Sequence, residues 1–157
     1  ETVINIARKE GIKASSARLA LAYGPGTKPD DKRVLNQLIS KGLEGKIKLL
    51  DDGSAMRTYG YISDVVVMLL NILIKSDHST YNVGGKSAVS ILELASRIAD
   101  QMQVEVHVPD NTSFMEDAPD MVGLNLSRVE KEYNLQNYAD LEYGLQQTIE
   151  WIKENNE

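Results

Sequence analysis

Few side chains in this sequence sit where they could do chemistry, and Arg57 is the one whose place most needs a reason. It lies in Leu50-Asp-Asp-Gly-Ser-Ala-Met-Arg-Thr-Tyr-Gly-Tyr-Ile-Ser-Asp-Val65. Asp52-Gly53 is a hairpin-type turn signal, and residues 57–61 alternate like a short strand. From Val65 to Ile74 the run is almost wholly apolar, which predicts a buried helix. An obligate cation between a tight turn and a buried helix either snorkels to water or meets an anion. The other reactive types are poorly grouped. His78 falls in a loop and His107 on a strand, neither with ligand spacing around it, so no metal site is expected. No serine is placed beside either histidine for nucleophilic catalysis. No G-x-G-x-x-G follows a strand and no G-x-x-x-x-G-K-[ST] occurs, so both phosphate loops are missing. Tyr23-Gly-Pro-Gly26 taken alone reads as a loop. The residues by themselves describe a soluble α/β domain without catalytic machinery of its own.

The elements that must hold Arg57 alternate between helix and strand. Residues 1–10 read as helix, capped by Gly11. Residues 12–21 read as a strand of short side chains suited to a crowded sheet, 23–26 as a turn, and 27–32 as a polar loop. Val34, Leu35, Leu38, Ile39 and Leu43 fall at helical spacing and predict an amphipathic helix over 32–44. Short strands are expected at 47–50 and 57–61, the buried helix at 63–75, and a strand at 79–83 ending on Gly84-Gly85. Ser90-Ile-Leu-Glu93 is a capping box opening a helix to about residue 102, and Ser127-Arg-Val-Glu130 is a second one. Between them come a strand at 104–108 and an irregular acidic stretch at 109–122. A last helix, 141–155, carries Leu141, Leu145, Ile149 and Ile152 on one face.

Composition limits the partners. At 157 residues the chain suffices for one domain with a core, and 42% hydrophobic with 25% charged residues is ordinary for a folded protein. Its formal charge of -6 argues against a nucleic-acid or acidic-membrane surface. No apolar run reaches the roughly 18 residues that span a bilayer. The absence of cysteine excludes disulfides and thiolate chemistry and fits a reducing cytoplasm. The sequence opens inside a helix without an initiator methionine, and is expected to be a fragment.

Several blocks then carry a resemblance. Ser16-Ala-Arg-Leu-Ala-Leu-Ala-Tyr-Gly-Pro-Gly26, Arg33-Val34, Asp51-Asp-Gly-Ser-Ala-Met-Arg-Thr-Tyr-Gly-Tyr-Ile-Ser-Asp64 and Tyr81-Asn-Val-Gly84 occur in that order. With Ser90-Ile-Leu-Glu-Leu-Ala95, Leu141-Glu-Tyr-Gly-Leu145 and Thr148-Ile-Glu-Trp151, the series resembles the extended short-chain dehydrogenase/reductase family over nearly the whole chain. These are the NAD-dependent nucleotide-sugar epimerases and dehydratases. The resemblance implies an α/β fold: the C-terminal portion of a Rossmann-type NAD(P)-binding protein, its last parallel strand plus a small mixed α/β substrate-binding domain. Residues 1–26 would be the tail of the Rossmann domain, with the end of the catalytic-Lys helix and the sixth strand. Residues 27–157 would be the substrate-binding domain, with interleaved returns to the Rossmann part. The family's glycine fingerprint and its Y-x-x-x-K pair are absent here, and Glu1 matches a glutamate that follows that Lys by four residues. The 157-residue segment is therefore expected to hold no catalytic residue and to be inactive alone.

Site residues follow from the same resemblance. Ala20, Leu21 and Ala22 would lie against the nicotinamide, largely through backbone, with NAD or NADP bound mainly by the missing N-terminal part. Arg33 and Val34 would touch the sugar nucleotide, and Lys48, Leu49 and Leu50 would run along the nucleobase. Arg57 would grip the diphosphate, which answers the question its position raises; Tyr61 and Asp64 match further recurrent positions. The implied partner is a nucleotide-diphosphate sugar, and neither nucleic acid nor membrane is implied. The implied enzyme is a cytoplasmic homodimer, an isomerase or lyase of cell-surface polysaccharide biosynthesis. Two departures weigh against a standard member. Leu21 stands where the family often has an asparagine that helps hold the substrate phosphate. The stretch Phe114-Met-Glu-Asp117 lacks the second clamp arginine, and none lies between Arg97 and Arg128. The alternative reading is a non-catalytic relative, a dinucleotide-binding or regulatory module. In either case the strand at 12–21 is expected to have lost its partner strands. It should pair with another copy, add to the small sheet or pack irregularly.

Overall fold

A computed structural model describes residues 1–28, 30–110 and 121–155, whose apolar side chains gather into two hydrophobic clusters. The first helix, α1 (Thr2–Lys9), stops where the sequence says it should. Gly11 takes φ +79°, its N–H donates to the Arg8 carbonyl, and the Ile12 N–H donates to that of Ala7, the two bonds of a Schellman cap.

The single strand expected over 12–21 is instead two short ones, β1 (Ser16–Leu19) and β2 (Leu21–Tyr23). They part at Ala20 because each joins a different sheet. β1 pairs in parallel with β5 (Thr80–Val83), and β2 pairs in parallel with β4 (Met56–Tyr61). Short side chains are needed at the switch: a Cβ on Gly84 would stand 2.7 Å from the Cβ of Ala20. β1 therefore has a partner from its own chain on one edge. Its other edge carries no strand among the described residues.

Helix α2 (Val34–Leu43) buries Leu35, Leu38 and Ile39 of the face its spacing predicts, while Val34 and Leu43 at its two ends stay exposed. It leads into β3 (Lys46–Lys48), which pairs in parallel with β7 (Glu105–His107). The strand expected at 47–50 thus ends at Lys48, and Leu49 and Leu50 leave it. No hairpin forms at Asp52-Gly53, since β3 and β4 belong to different sheets. The stretch is a loop closed on itself, with Asp51 accepting the Gly53 N–H and Asp52 that of Ser54. β4 also pairs antiparallel with β6 (Ser87–Ser90), a strand not read from the sequence, and in parallel with β8 (Met121–Val122). The fold is α/β, with parallel pairs in all three sheets.

Helix α3 (Ile62–Lys75) buries only Val65, Met68 and Ile72, one face at helical spacing. Leu73 is 79% exposed and Ile74 73%, with Val66, Val67 and Leu70 also outward, so the expectation of a buried helix fails for half its surface. α4 (Ile91–Met102) opens on Ser90, whose Oγ accepts the Glu93 N–H at 3.0 Å. The reciprocal half of that box is absent, because the Glu93 carboxylate takes Arg97. The second box does not form. α5 (Ser127–Tyr133) has Leu126 at its N-cap, Asn125 accepts the Ser127 N–H, and Glu130 pairs with Lys86. α6 (Leu141–Asn155) seals the first cluster with Leu141, Leu145, Ile149 and Ile152.

Candidate ligand-binding site

The site grows from the alternation of β4. Arg57, Tyr59 and Tyr61 share one face of the strand, and Thr58 and Gly60 the other. On that second face the backbone of Gly84-Gly85 comes so close that a Cβ on Gly60 would stand 2.8 Å from the Gly85 nitrogen. On the first face α2 closes over the strand and leaves two adjoining cavities. One, of about 270 Å³, is lined by Leu21, Ala22, Arg33, Val34, Arg57 and Tyr59, among others. The other, of about 280 Å³, is lined by Val34, Lys41, Lys48, Leu49, Leu50 and Arg57, with Asp51 and Asp52 at its wall. Val34 and Arg57 belong to both, so a half-buried guanidinium stands where the cavities meet.

Each expected site residue can now be placed. Arg57 donates from Nη1 to the Met56 carbonyl at 2.8 Å. Arg33 is engaged on two sides: Nε lies 2.8 Å from Asp31 Oδ2, and Nη1 donates to the Ala22 carbonyl at 2.8 Å. Hydrogen bonds from Arg33 hold the Asp31 carboxyl down at about 2. Of the backbone expected to face a base, the Lys48 carbonyl accepts Lys41 Nζ at 2.7 Å and the Leu49 N–H donates to His107. The peptide groups of Leu50 make no hydrogen bond among the described residues, and its side chain is exposed. Ala20 and Tyr61 line neither cavity. Ala20 packs at Gly84, and the Tyr61 ring meets Tyr23 and Tyr143 edge-on at 5.6 and 5.8 Å. Asp64 accepts the Ala139 N–H at 2.9 Å, a contact that anchors the start of α6. Phe114–Asp117, where the second arginine is missing, lies outside the described residues.

Among the cleft residues not read from the sequence are Lys41 and Tyr59. Lys41 follows Val34 by two helical turns, which puts both on one face of α2. Tyr59 follows Arg57 by two strand positions. It is buried, its ring edge-on to Tyr23 at 6.2 Å, and burial pushes its phenol up to about 12 against the opposing pull of Arg57. The cleft offers cations, aromatic walls and backbone, with Asp51, Asp52 and Ser54 at the wall of the second cavity and no histidine in the lining of either.

Comparison with known proteins identifies the family and the fold. The model of the NAD dependent epimerase/dehydratase family matches residues 1–84. UDP-glucuronic acid decarboxylase 3 of Arabidopsis thaliana is 29% identical over 108 residues, 67% of this chain and 32% of that protein. A dTDP-4-dehydro-6-deoxy-D-allose reductase of a Streptomyces species is 30% identical over 146 residues, 91% of this chain and 44% of the reductase. The fold superposes on UDP-glucose 4-epimerase of Thermotoga maritima, solved with UDP-glucose, at a TM-score of 0.84 and 22% identity, covering 99% of this chain and 51% of that one. It superposes equally on UDP-glucuronic acid 4-epimerase of Bacillus cereus, solved with UDP-glucuronic acid and NAD, at 0.79 and 21%, covering 98% and 49%. The chain spans about half the length of these structures, and a third to under half that of the two relatives.

Proposed function

This chain belongs to the NAD-dependent epimerase/dehydratase family, and from that premise we propose that it is the substrate-binding part of an enzyme that remodels nucleotide-diphosphate sugars. The reaction class is epimerisation, dehydration or decarboxylation through a transient keto sugar, in the cytoplasm, in a homodimer serving polysaccharide synthesis. Residues 1–26 would complete the cofactor domain and residues 27–157 would hold substrate. The observation that carries this reading is Arg57 at the meeting of two cavities. A diphosphate has an arm on each side, and a rigid, always-charged fork suits its oxygens. Leu50, with its peptide groups uncommitted, remains the backbone on offer to a base in the second cavity. Lys48 and Leu49 have less to give.

The residues present also fit a nicotinamide cofactor at the edge of the first cavity. Leu21, 38% exposed, and Ala22 give that edge a small apolar shelf for a flat ring, while Ala20 lies outside it against Gly84. NAD, when bound, supplies the reversible oxidation of the sugar. This chain's own part is to orient the nucleotide against that shelf. With neither the glycine fingerprint nor a Y-x-x-x-K pair in the sequence, the 157 residues alone should form no NADH and convert no nucleotide sugar. An assay of the purified chain with UDP-glucuronic acid and NAD checks this, and turnover would overturn the division of labour.

The decisive test is Arg57→Ala in the full-length protein. Loss of hydrogen bonds to a charged group should cost about 1.5–3 kcal/mol of nucleotide-sugar binding, an affinity about ten to a hundred times weaker. Arg57→Lys should recover part, keeping charge but losing the fork. Unchanged calorimetric affinity in the alanine variant would reject the anchor. Leu21 and the missing second arginine favour the alternative, a non-catalytic module. That reading requires a full-length protein that binds nucleotide without converting any sugar.

A further inference from the structure

Among the described residues, three buried side-chain polar atoms lack a hydrogen-bond partner: Tyr59 Oη, Glu132 Oε2 and Tyr133 Oη. Only Tyr59 lines the candidate cleft. An unpartnered buried hydroxyl destabilises a fold, and a ring needed only for bulk would do better as phenylalanine. The ring has little freedom to find a partner elsewhere. Tyr23 stands edge-on against it, and a Cβ on Gly85 would lie 2.2 Å from the Tyr59 carbonyl, so the backbone beneath it is pinned. Arg57, two residues away on the same strand face, is close enough for its charge to act on the phenol. A buried hydroxyl kept unpartnered at a loss to the free protein, on a residue that lines a cavity beside a cation, points to a ligand.

We propose that Tyr59 is a binding residue whose hydroxyl donates to a phosphate oxygen of the diphosphate ester that Arg57 draws into the cleft. This rests on the reading of the cleft as a diphosphate site and adds a second donor to it. An O–H···O⁻ bond is among the stronger hydrogen bonds, and a ring already held in place loses little freedom in making it. With its proton retained to about pH 12, the phenol is a donor at any pH at which the enzyme works.

The test pairs binding with stability, because the two should move in opposite directions. UDP, with dTDP as a second probe, is titrated into the full-length protein, into Tyr59→Phe and into Arg57→Ala, and each protein is melted without ligand. Tyr59→Phe should bind both probes about tenfold more weakly, while its unliganded melting temperature stays equal or rises by about 2–4 °C. Three results would overturn the proposal, and they differ. If Arg57→Ala weakens binding and Tyr59→Phe does not, the cleft stands and Tyr59 is filler. If Tyr59→Phe binds weakly but also melts lower, the hydroxyl has a structural partner and no ligand role. If neither probe binds the unaltered protein, or Arg57→Ala binds as well as it does, the diphosphate reading falls and Tyr59 with it.

Discussion

Arg33 and Asp31 show how much of a charged residue's behaviour is decided before any ligand arrives. The pair is bidentate, and it also ties the head of α2 to the Ala22 carbonyl on β2. A carboxyl whose folded pKa is lowered from 3.8 to about 2 adds stability that is fully present above pH 4 and disappears as the pH falls through 2. Asp31→Asn should therefore melt below the unaltered protein at pH 6, with the gap closing between pH 4 and 2. Since Arg33 is half exposed, the gap should be within about 1 kcal/mol, the scale of surface pairs. Thermal melts across that range check it, and a gap that persists at pH 2 would assign the effect to something other than the charge. Arg57 could be singled out from sequence because a cation between a turn and an apolar run breaks the local pattern. Tyr59 could not, because an aromatic on a strand reads as core. Its isolation depends on Tyr23 and Gly85, neither of them near it in the chain.

At the scale of elements, the glycines around β4 decide how still the site is. A Cβ on Gly85 would meet backbone, 2.2 Å from the Tyr59 carbonyl and 2.9 Å from the Gly60 Cα, and neither can yield without moving the strand that carries Arg57. On α6, a Cβ at Gly144 would meet the Tyr23 ring, 2.2 Å from its hydroxyl and 2.8 and 3.0 Å from its Cζ and Cε2, a side chain rather than backbone. Gly85→Ala should thus lose about 1–3 kcal/mol or more, and Gly144→Ala less, helped by alanine's better helix propensity. Urea unfolding of both variants ranks them, and the reverse order would mean that the Gly84-Gly85 turn can give way. The same elements show where local pattern stops being informative. Ser87–Ser90 is too short and too small-chained to announce a strand, and its last residue doubles as the cap of α4. Ser127 matches the capping pattern as well as Ser90 does. Its neighbour Asn125 satisfies the N–H instead, and Glu130 finds Lys86 and the Tyr138 hydroxyl across the fold. These are tertiary choices, and no window of ten residues contains them.

Over the whole molecule, apolar surface is left uncovered in more than one place. The outer side of α3 with Leu70, Leu73 and Ile74, the Val3 and Ile6 positions of α1, and Leu19 on β1 all face outward. Contiguous apolar surface of this kind usually has a partner. The 157-residue chain should accordingly self-associate, with sedimentation coefficients that rise with concentration. A monomer at every concentration would mean that these side chains are scattered too singly to matter. The alternation of helices and strands was legible in the sequence, as were most of the α2 core and the buried face of α6. The pairing of strands was not, because register between distant segments leaves no local trace. β1 makes the point: its partner β5 lies about 60 residues downstream. That distance has a meaning in time. A ribosome adding roughly 5–20 residues per second needs some seconds to deliver β5 after β1, whereas a hairpin closes in microseconds. For those seconds the nascent chain lacks the β1–β5 ladder. Translation speed, not the folding barrier, then sets how soon that ladder can close.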